Sequence, residues 1–190
     1  MLKRSFCAAL LAMSTSVAMA DMQLDTEQSS LYFTSIKNNA IAENHHFTAL
    51  SGAYTDAGTA KVDIDLSSVE TAIPIRNERM RDMLFKVAEN PTAEITADIP
   101  NEVMADVAEG ASKVVQLPIS LTLNGKNLTY DASLRITALE GAVMVTTESP
   151  ILLNAADFGL DKGIGELQSV AVLSAIATNV PVTATFVFKE

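Results

Sequence analysis

Residues 116–136 constrain the fold most, because they are compatible with little besides a β-hairpin. Leu117, Ile119, Leu121 and Leu123 alternate with Gln116, Pro118, Ser120 and Thr122, the period of two that sends successive side chains to opposite faces of a strand. Asn124-Gly125 follows and supplies the positive φ angles of a tight type I′ turn. Leu128, Tyr130, Ala132, Leu134 and Ile136 then alternate with Asn127, Thr129, Asp131, Ser133 and Arg135 on the return. Pro118 lies opposite the apolar set, which predicts a bulge or an edge position there.

The same alternation recurs at Val62, Ile64 and Leu66, and again at Ala93, Ile95, Ala97 and Ile99. Further candidate strands near 31–35, 46–54, 143–147 and 180–188 bring the number to about eight. The expected fold class is therefore all-β. Eight antiparallel strands can close into a barrel with room for one small ligand. The same strands can also stack as a sandwich, and periodicity alone does not separate the two. The chain has no tryptophan, 7 phenylalanines and 3 tyrosines, and many of its alternating positions are Ala, Val or Thr. Such small inward residues either pack tightly on one another or leave a lumen. Phe33, Phe47, Leu121, Leu134, Phe186 and Phe188 are the candidate lumen-lining set, and they are also what any β core would need.

One insertion interrupts the strands. Met80, Met83, Leu84 and Val87 fall at i, i+3, i+4 and i+7, the apolar stripe of a helix. Pro74 suits its first turn and Asn90-Pro91 stops it. This helix carries Arg76, Arg79 and Arg81 to one end of the β structure. At 3.6 residues per turn Arg76 and Arg79 share a face, while Arg81 points elsewhere. Two guanidiniums at a barrel mouth can fork onto the oxygens of a ligand head group. They can equally form a solvated face, with Glu78–Arg81 and Asp82–Lys86 as ordinary helical pairs worth about 0.2–0.5 kcal/mol each. A second helix fits Leu167, Val170, Ala171 and Ser174 and could close one opening, although Val170, Val172 and Ile176 also suit a strand.

His45 and His46 are the only histidines. Neighbours on a strand face opposite ways, so the two cannot chelate one metal there. A catalytic zinc normally takes three protein ligands, and carboxylates such as Glu43 would have to complete the set. No metal and no cofactor is expected. One inward histidine near the mouth could hydrogen-bond a polar head. The chain lacks a G-x-S-x-G elbow, a phosphate-binding glycine loop, H-E-x-x-H and C-x-x-C, so nothing in it demands an enzyme.

Residues 1–20 have the form of a cleaved export signal: Lys3 and Arg4, a short apolar run, then Ala18-Met19-Ala20 before Asp21. Cleavage removes the single cysteine, Cys7, leaving a chain without disulfides, thiol catalysis or cysteine metal sites. It also removes Lys3 and Arg4 but no acid. The mature domain, 21–190, then holds 11 basic against 23 acidic residues, a formal charge of −12. Such acidity disfavours nucleic acid and anionic surfaces. No later stretch is apolar enough to span a membrane, and the few scattered aromatics lack the girdles of an outer-membrane barrel.

Several motifs bear on identity together. Ser68-Val69-Glu70-Thr71, Arg76-Asn77-Glu78-Arg79-Met80-Arg81, Phe85, Asn90-Pro91-Thr92-Ala93, the turn Leu121-Thr-Leu-Asn-Gly-Lys126 and Asp157-Phe158-Gly159 resemble, in order and spacing, the signature of the YceI family. The resemblance spans most of the mature chain and is strongest from about residue 62 to 134. Arg79 stands where many members carry histidine, and Asn77 where many carry aspartate. The resemblance implies a lipocalin-like barrel with one or two short helices, in an exported periplasmic or secreted protein. It also implies a hydrophobic small-molecule partner, an isoprenoid or fatty-acyl lipid, and Arg76, Arg79, His45 and His46 are the candidates for holding its head group. A homodimer is compatible with it. The rival expectation is a stress-related periplasmic interaction protein whose barrel is filled by its own side chains.

Overall fold

A computed structural model describes residues 21–107 and 110–190, and the expected export signal at 1–20 lies outside the described residues. Eight long antiparallel strands close into a barrel in up-and-down order. The first is β1 (Met22–Leu24) continued by β2 (Ser30–Lys37), and the second is β3 (Ile41–Phe47) continued by β4 (Leu50–Tyr54). The third, β5 (Thr59–Asp65), resumes as β6 (Val69–Glu70) after a 3₁₀ turn at Leu66–Ser68. β7 (Thr92–Asp98), β8 (Ser112–Leu123) and β9 (Lys126–Leu139) follow unbroken. β10 (Ala142–Thr147) and β11 (Ile151–Asn154) form the seventh, and β12 (Asn179–Lys189) is the eighth. The ring closes where β12 pairs β1 and β2, through Gln23↔Lys189 and Val182↔Phe33. Closure removes the free edges that an open sheet would expose, and it decides for the barrel over the sandwich.

The hairpin forms in the expected register, from Ser112↔Thr137 to Leu123↔Lys126, with Asn124 at φ 51° and Gly125 at φ 71°. Pro118 pairs Asp131 without a bulge, and it lies just beyond Ile119, the last β8 residue matched to β7. It occupies an edge, where a missing N–H costs nothing. Ile119, Leu121, Leu134 and Ile136 are buried inside. The outer wall is charged: Lys61 pairs with Asp63 at 3.3 Å and Glu94 at 2.8 Å, and Arg135 forks onto Glu148 at 2.7 and 2.8 Å. A wall of that kind is unlike the lipid-facing band of a membrane barrel. Among the described residues no helix is long and apolar enough to cross a membrane.

Up-and-down order places the loops at alternate ends. One end gathers the β2–β3 turn, α1 (Pro74–Arg79), the β8–β9 turn and the connection leading into β12. The other holds the β4–β5 turn, α2 (Asn101–Ala105) and the β9–β10 turn. After Arg79 the helix widens into a π-helical turn, Met80–Phe85, that stops at Lys86 with φ 50°. The wider turn buries Met80 together with Phe85, which corrects the expected stripe: Met83, Leu84 and Val87 are only partly buried.

The second helix is α3 (Asp161–Val170), shifted N-terminal of its expected position. It crosses the π turn so closely that a Cβ on Gly163 would stand 2.6 Å from the Met83 carbonyl oxygen and 2.9 Å from Leu84 Cα. Its end is a Schellman motif: Val172 N–H donates to Ser169 O at 3.2 Å and Leu173 N–H to Gln168 O at 3.0 Å. Val172 therefore holds the left-handed position, φ 54°, where glycine usually sits. A β-branched residue there costs about 1–2 kcal/mol.

Candidate functional site

Three cavities follow one another through the barrel. The central one, about 130 Å³, is lined entirely by apolar side chains, among them Phe33, Phe47, Leu121, Phe158 and Ile164. Below it a space of about 70 Å³ is bounded by Leu134, Phe186 and Phe188, with Leu31, Ile95 and Val182 shared between the two. Above it opens a mouth cavity of about 350 Å³, which shares Phe33, Leu84, Ile164 and Val180 with the central one. Shared walls make them a single row along the barrel axis. Of the six residues expected to line a lumen, Phe33, Phe47 and Leu121 border the central cavity and Leu134, Phe186 and Phe188 the lower one.

The two late motifs meet in building this end. Asn124 Nδ2 donates to Phe158 O at 2.8 Å, and Lys126 Nζ donates to Asp157 O at 2.8 Å. These bonds tie the β8–β9 turn to the 3₁₀ turn Ala155–Phe158. Phe158, 0% exposed, is thereby held against the central cavity.

At the mouth, polar groups stand among Ile73, Ile75, Leu84, Leu167 and Val180. Glu43 on β3 is the hub: Lys37 Nζ and Arg76 Nη1 each reach its Oε2 at 2.8 Å. Lys37, and after it Arg76, hold this carboxyl below the usual range despite partial burial. Arg76 also donates to the Thr71 carbonyl. Thr71 in turn is fixed by buried Asn77, whose Oδ1 accepts from Thr71 N–H at 2.9 Å and from its hydroxyl at 2.5 Å. Asn77 Nδ2 donates to Glu70 Oε2 at 3.0 Å. An amide at 77 thus joins a backbone turn to a carboxylate, which two acidic groups could not do without sharing a proton. Arg79 lines the same cavity and makes no ion pair among the described residues.

His45 is 2% exposed, with Nε2 in a 2.9 Å hydrogen bond to Ser35 Oγ and its ring edge-on to Phe33. Burial first, and the nearby Arg76 charge second, push its pKa from 6.5 down to about 4. The ring is therefore neutral at neutral pH. Two buried atoms in this cluster, His45 Nδ1 and Arg76 Nε, find no hydrogen-bond partner. Such orphans are uncommon and call for an explanation.

The structure brings Arg76, Arg79 and His45 together and leaves His46 out. His46 faces the outside of β3, against the Tyr32 ring, with centroids 5.5 Å apart. Its expected head-group role is corrected by strand alternation itself, which sends adjacent residues to opposite faces. Arg81 points to Ser67 O, away from the mouth. The helical pairs Glu78–Arg81 and Asp82–Lys86 are not formed among the described residues. Lys37 and Ser35 were not anticipated from the sequence. The β2–β3 hairpin brings them to this end, pairing Ser35 with Glu43 and Lys37 with Ile41.

A closed antiparallel barrel with an apolar axial row and a cation-rich mouth defines a calyx. The family model for the YceI-like domain matches residues 22–188, and the chain belongs to that family. A solved polyisoprenoid binding domain from Saccharophagus degradans, implicated in plant cell wall breakdown, is 37% identical. It superposes with a TM-score of 0.86 over 89% of this chain and 98% of that one. Burkholderia cenocepacia BcnA shares the fold at 16% identity, with a TM-score of 0.66 over 86% of this chain and 98% of its own. A search of curated protein sequences returns no significant match.

Proposed function

We propose that this protein is a non-catalytic binding protein that encloses the chain of an isoprenoid or fatty-acyl lipid in its barrel and holds the polar head at the mouth. The observation that carries the reading is the row of three adjoining cavities, apolar within and bordered by Lys37, Arg76 and Arg79 at the mouth. The mouth, at about 350 Å³, falls in the roughly 300–1,000 Å³ range of small-molecule pockets. A tail sliding inward gains about 25 cal/mol for each Å² of apolar surface removed from water.

The relation to the Saccharophagus degradans domain supports an isoprenoid. The orphaned Arg76 Nε–H and His45 Nδ1 support a head bearing an oxygen, which would satisfy one or both. The leader-like residues 1–20 support work in the periplasm or outside the cell.

Native mass spectrometry tests this on mature protein purified without detergent, followed by organic extraction of the sample. A stoichiometric lipid is expected. An apo mass that stays unchanged after adding prenyl or fatty-acyl lipids would overturn the reading and favour a self-filled barrel with a protein partner.

A further inference from the structure

The rim of the mouth exposes apolar side chains that the core does not account for. Ile73 and Ile75 stand on one side, Val170 and Val172 on the other, and all four are exposed. Ile73 and Ile75 border the mouth cavity, as do Ala171 and Leu173 on either side of Val172, so the four ring the opening. Val172 is the extreme case. It is 90% exposed and holds the left-handed Schellman position, so it adds nothing to packing and strains the backbone.

The turn presenting it is anchored. Ser174 N and Oγ both donate to Asn38 Oδ1, at 2.9 and 3.0 Å, and Asn38 N–H donates to Ala175 O at 2.8 Å. Val172 is thus held out into solvent by a fixed scaffold.

Charge separates the two ends of the barrel. Lys37, Arg76, Arg79, Arg81, Lys86, Lys126 and Lys162 lie at the mouth end against Glu43, Glu70, Glu78, Asp82, Glu89, Asp157, Asp161 and Glu166, a balance near neutral. Asp21, Asp25, Asp56, Asp98, Glu102, Asp106, Glu140 and Glu190 gather at the far end, and Lys113 and Lys189 stand against them among the described residues. An anionic surface therefore repels one end and tolerates the other.

We propose that the mouth is a membrane-docking face, with Ile73, Ile75, Val170 and Val172 entering the surface of a lipid bilayer and the acidic end turned to water. Exposed apolar residues on a face with little net charge, opposite a strongly acidic end, suit shallow interfacial insertion. The opening they surround adjoins an apolar lumen, so a lipid entering there would meet apolar walls rather than water. That purpose rests on the lipid-binding reading above; the docking itself does not.

Flotation of the mature, delipidated protein with vesicles of phosphatidylethanolamine and phosphatidylglycerol tests it, alongside Val172→Gly, Ile75→Asn and Val114→Asn. Val114 is an equally apolar exposed residue on β8, away from the mouth. The wild-type protein should float. Val172→Gly should melt higher than wild type, because glycine fits that backbone, yet bind about tenfold more weakly for want of a buried side chain. Ile75→Asn should weaken binding likewise, and Val114→Asn should match wild type.

Wild-type protein that stays with the soluble fraction would overturn the proposal, as would Val172→Gly and Ile75→Asn floating like wild type. A solution dimer that Val172→Gly splits into monomers would give the rim to a second copy instead. Floating without any lipid bound in mass spectrometry would leave docking intact and remove the lipid-binding reading; a lipid-loaded protein that never floats would do the reverse.

Discussion

The central cavity beside Phe158 is lined by apolar side chains throughout, whereas the mouth above it sets Lys37, Glu43, His45, Arg76 and Arg79 among aliphatics. The first space attracts in proportion to area and makes little distinction between one hydrocarbon and another. The second adds few contacts, each with direction and charge. It is where two orphaned polar atoms wait and where a histidine is kept neutral. Under the proposed lipid-binding function, the lumen sets how tightly a tail is held, and the mouth sets which head accompanies it. Stability is divided in the same way, since the lumen wall is also the core.

Four substitutions would break or sharpen that division. Phe158→Ala has the largest expected effect, because it removes a fully buried ring from the lumen wall. Urea unfolding should show a loss of about 3–5 kcal/mol, and a loss below about 1 kcal/mol would mean that this wall is not core.

His45 comes next and acts through pH. The unfolded imidazole takes its proton near 6.5, and the folded one only near about 4. Between those values the unfolded chain binds the extra proton, so stability is unaffected above 6.5 and falls as pH drops through the window. It levels off below about 4, after a loss of up to about 3 kcal/mol. Chemical denaturation between pH 4 and 7 should therefore show a steeper decline for wild type than for His45→Gln; parallel curves would mean that the ring is solvated.

Gly163→Ala should cost about 1–3 kcal/mol, because the new Cβ meets the backbone of the π turn instead of a movable side chain. The loss should come with a loosened mouth, seen as faster amide exchange in α3 and Met80–Phe85. Arg79→Ala is the smallest change in stability, within about 0.5 kcal/mol for a residue without an ion pair. It should nonetheless weaken an acid-headed lipid about tenfold and leave the matching alcohol nearly unchanged. Equal weakening of both would erase the distinction between lumen and mouth.

The strands were legible because alternation is a local signal: the Asn124-Gly125 hairpin, the β5 and β7 sets and the inward phenylalanines all lie where period two puts them. The pairing of Arg76 with Arg79 also followed from helical geometry. The π turn did not, because a widened turn shifts burial from Val87 to Phe85 through contact with α3 rather than through composition. Nor did the hub at Glu43. Lys37 and Arg76 come to it from 6 residues before and 33 after, and no window on the chain contains that meeting.

By itself the sequence determined the strand periods, the hairpin, the acidity and the choice of small inward residues, since each depends on neighbours within a few positions. Tertiary structure decided the rest. Closure of β12 onto β1 and β2 turned a set of strands into a calyx, and strand pairing turned His45 inward and His46 outward. The ends of three strands, α1 with its π turn, and α3 then assembled the mouth. Which side chains share a cavity depends on where distant segments meet, and that meeting exists only in the folded chain.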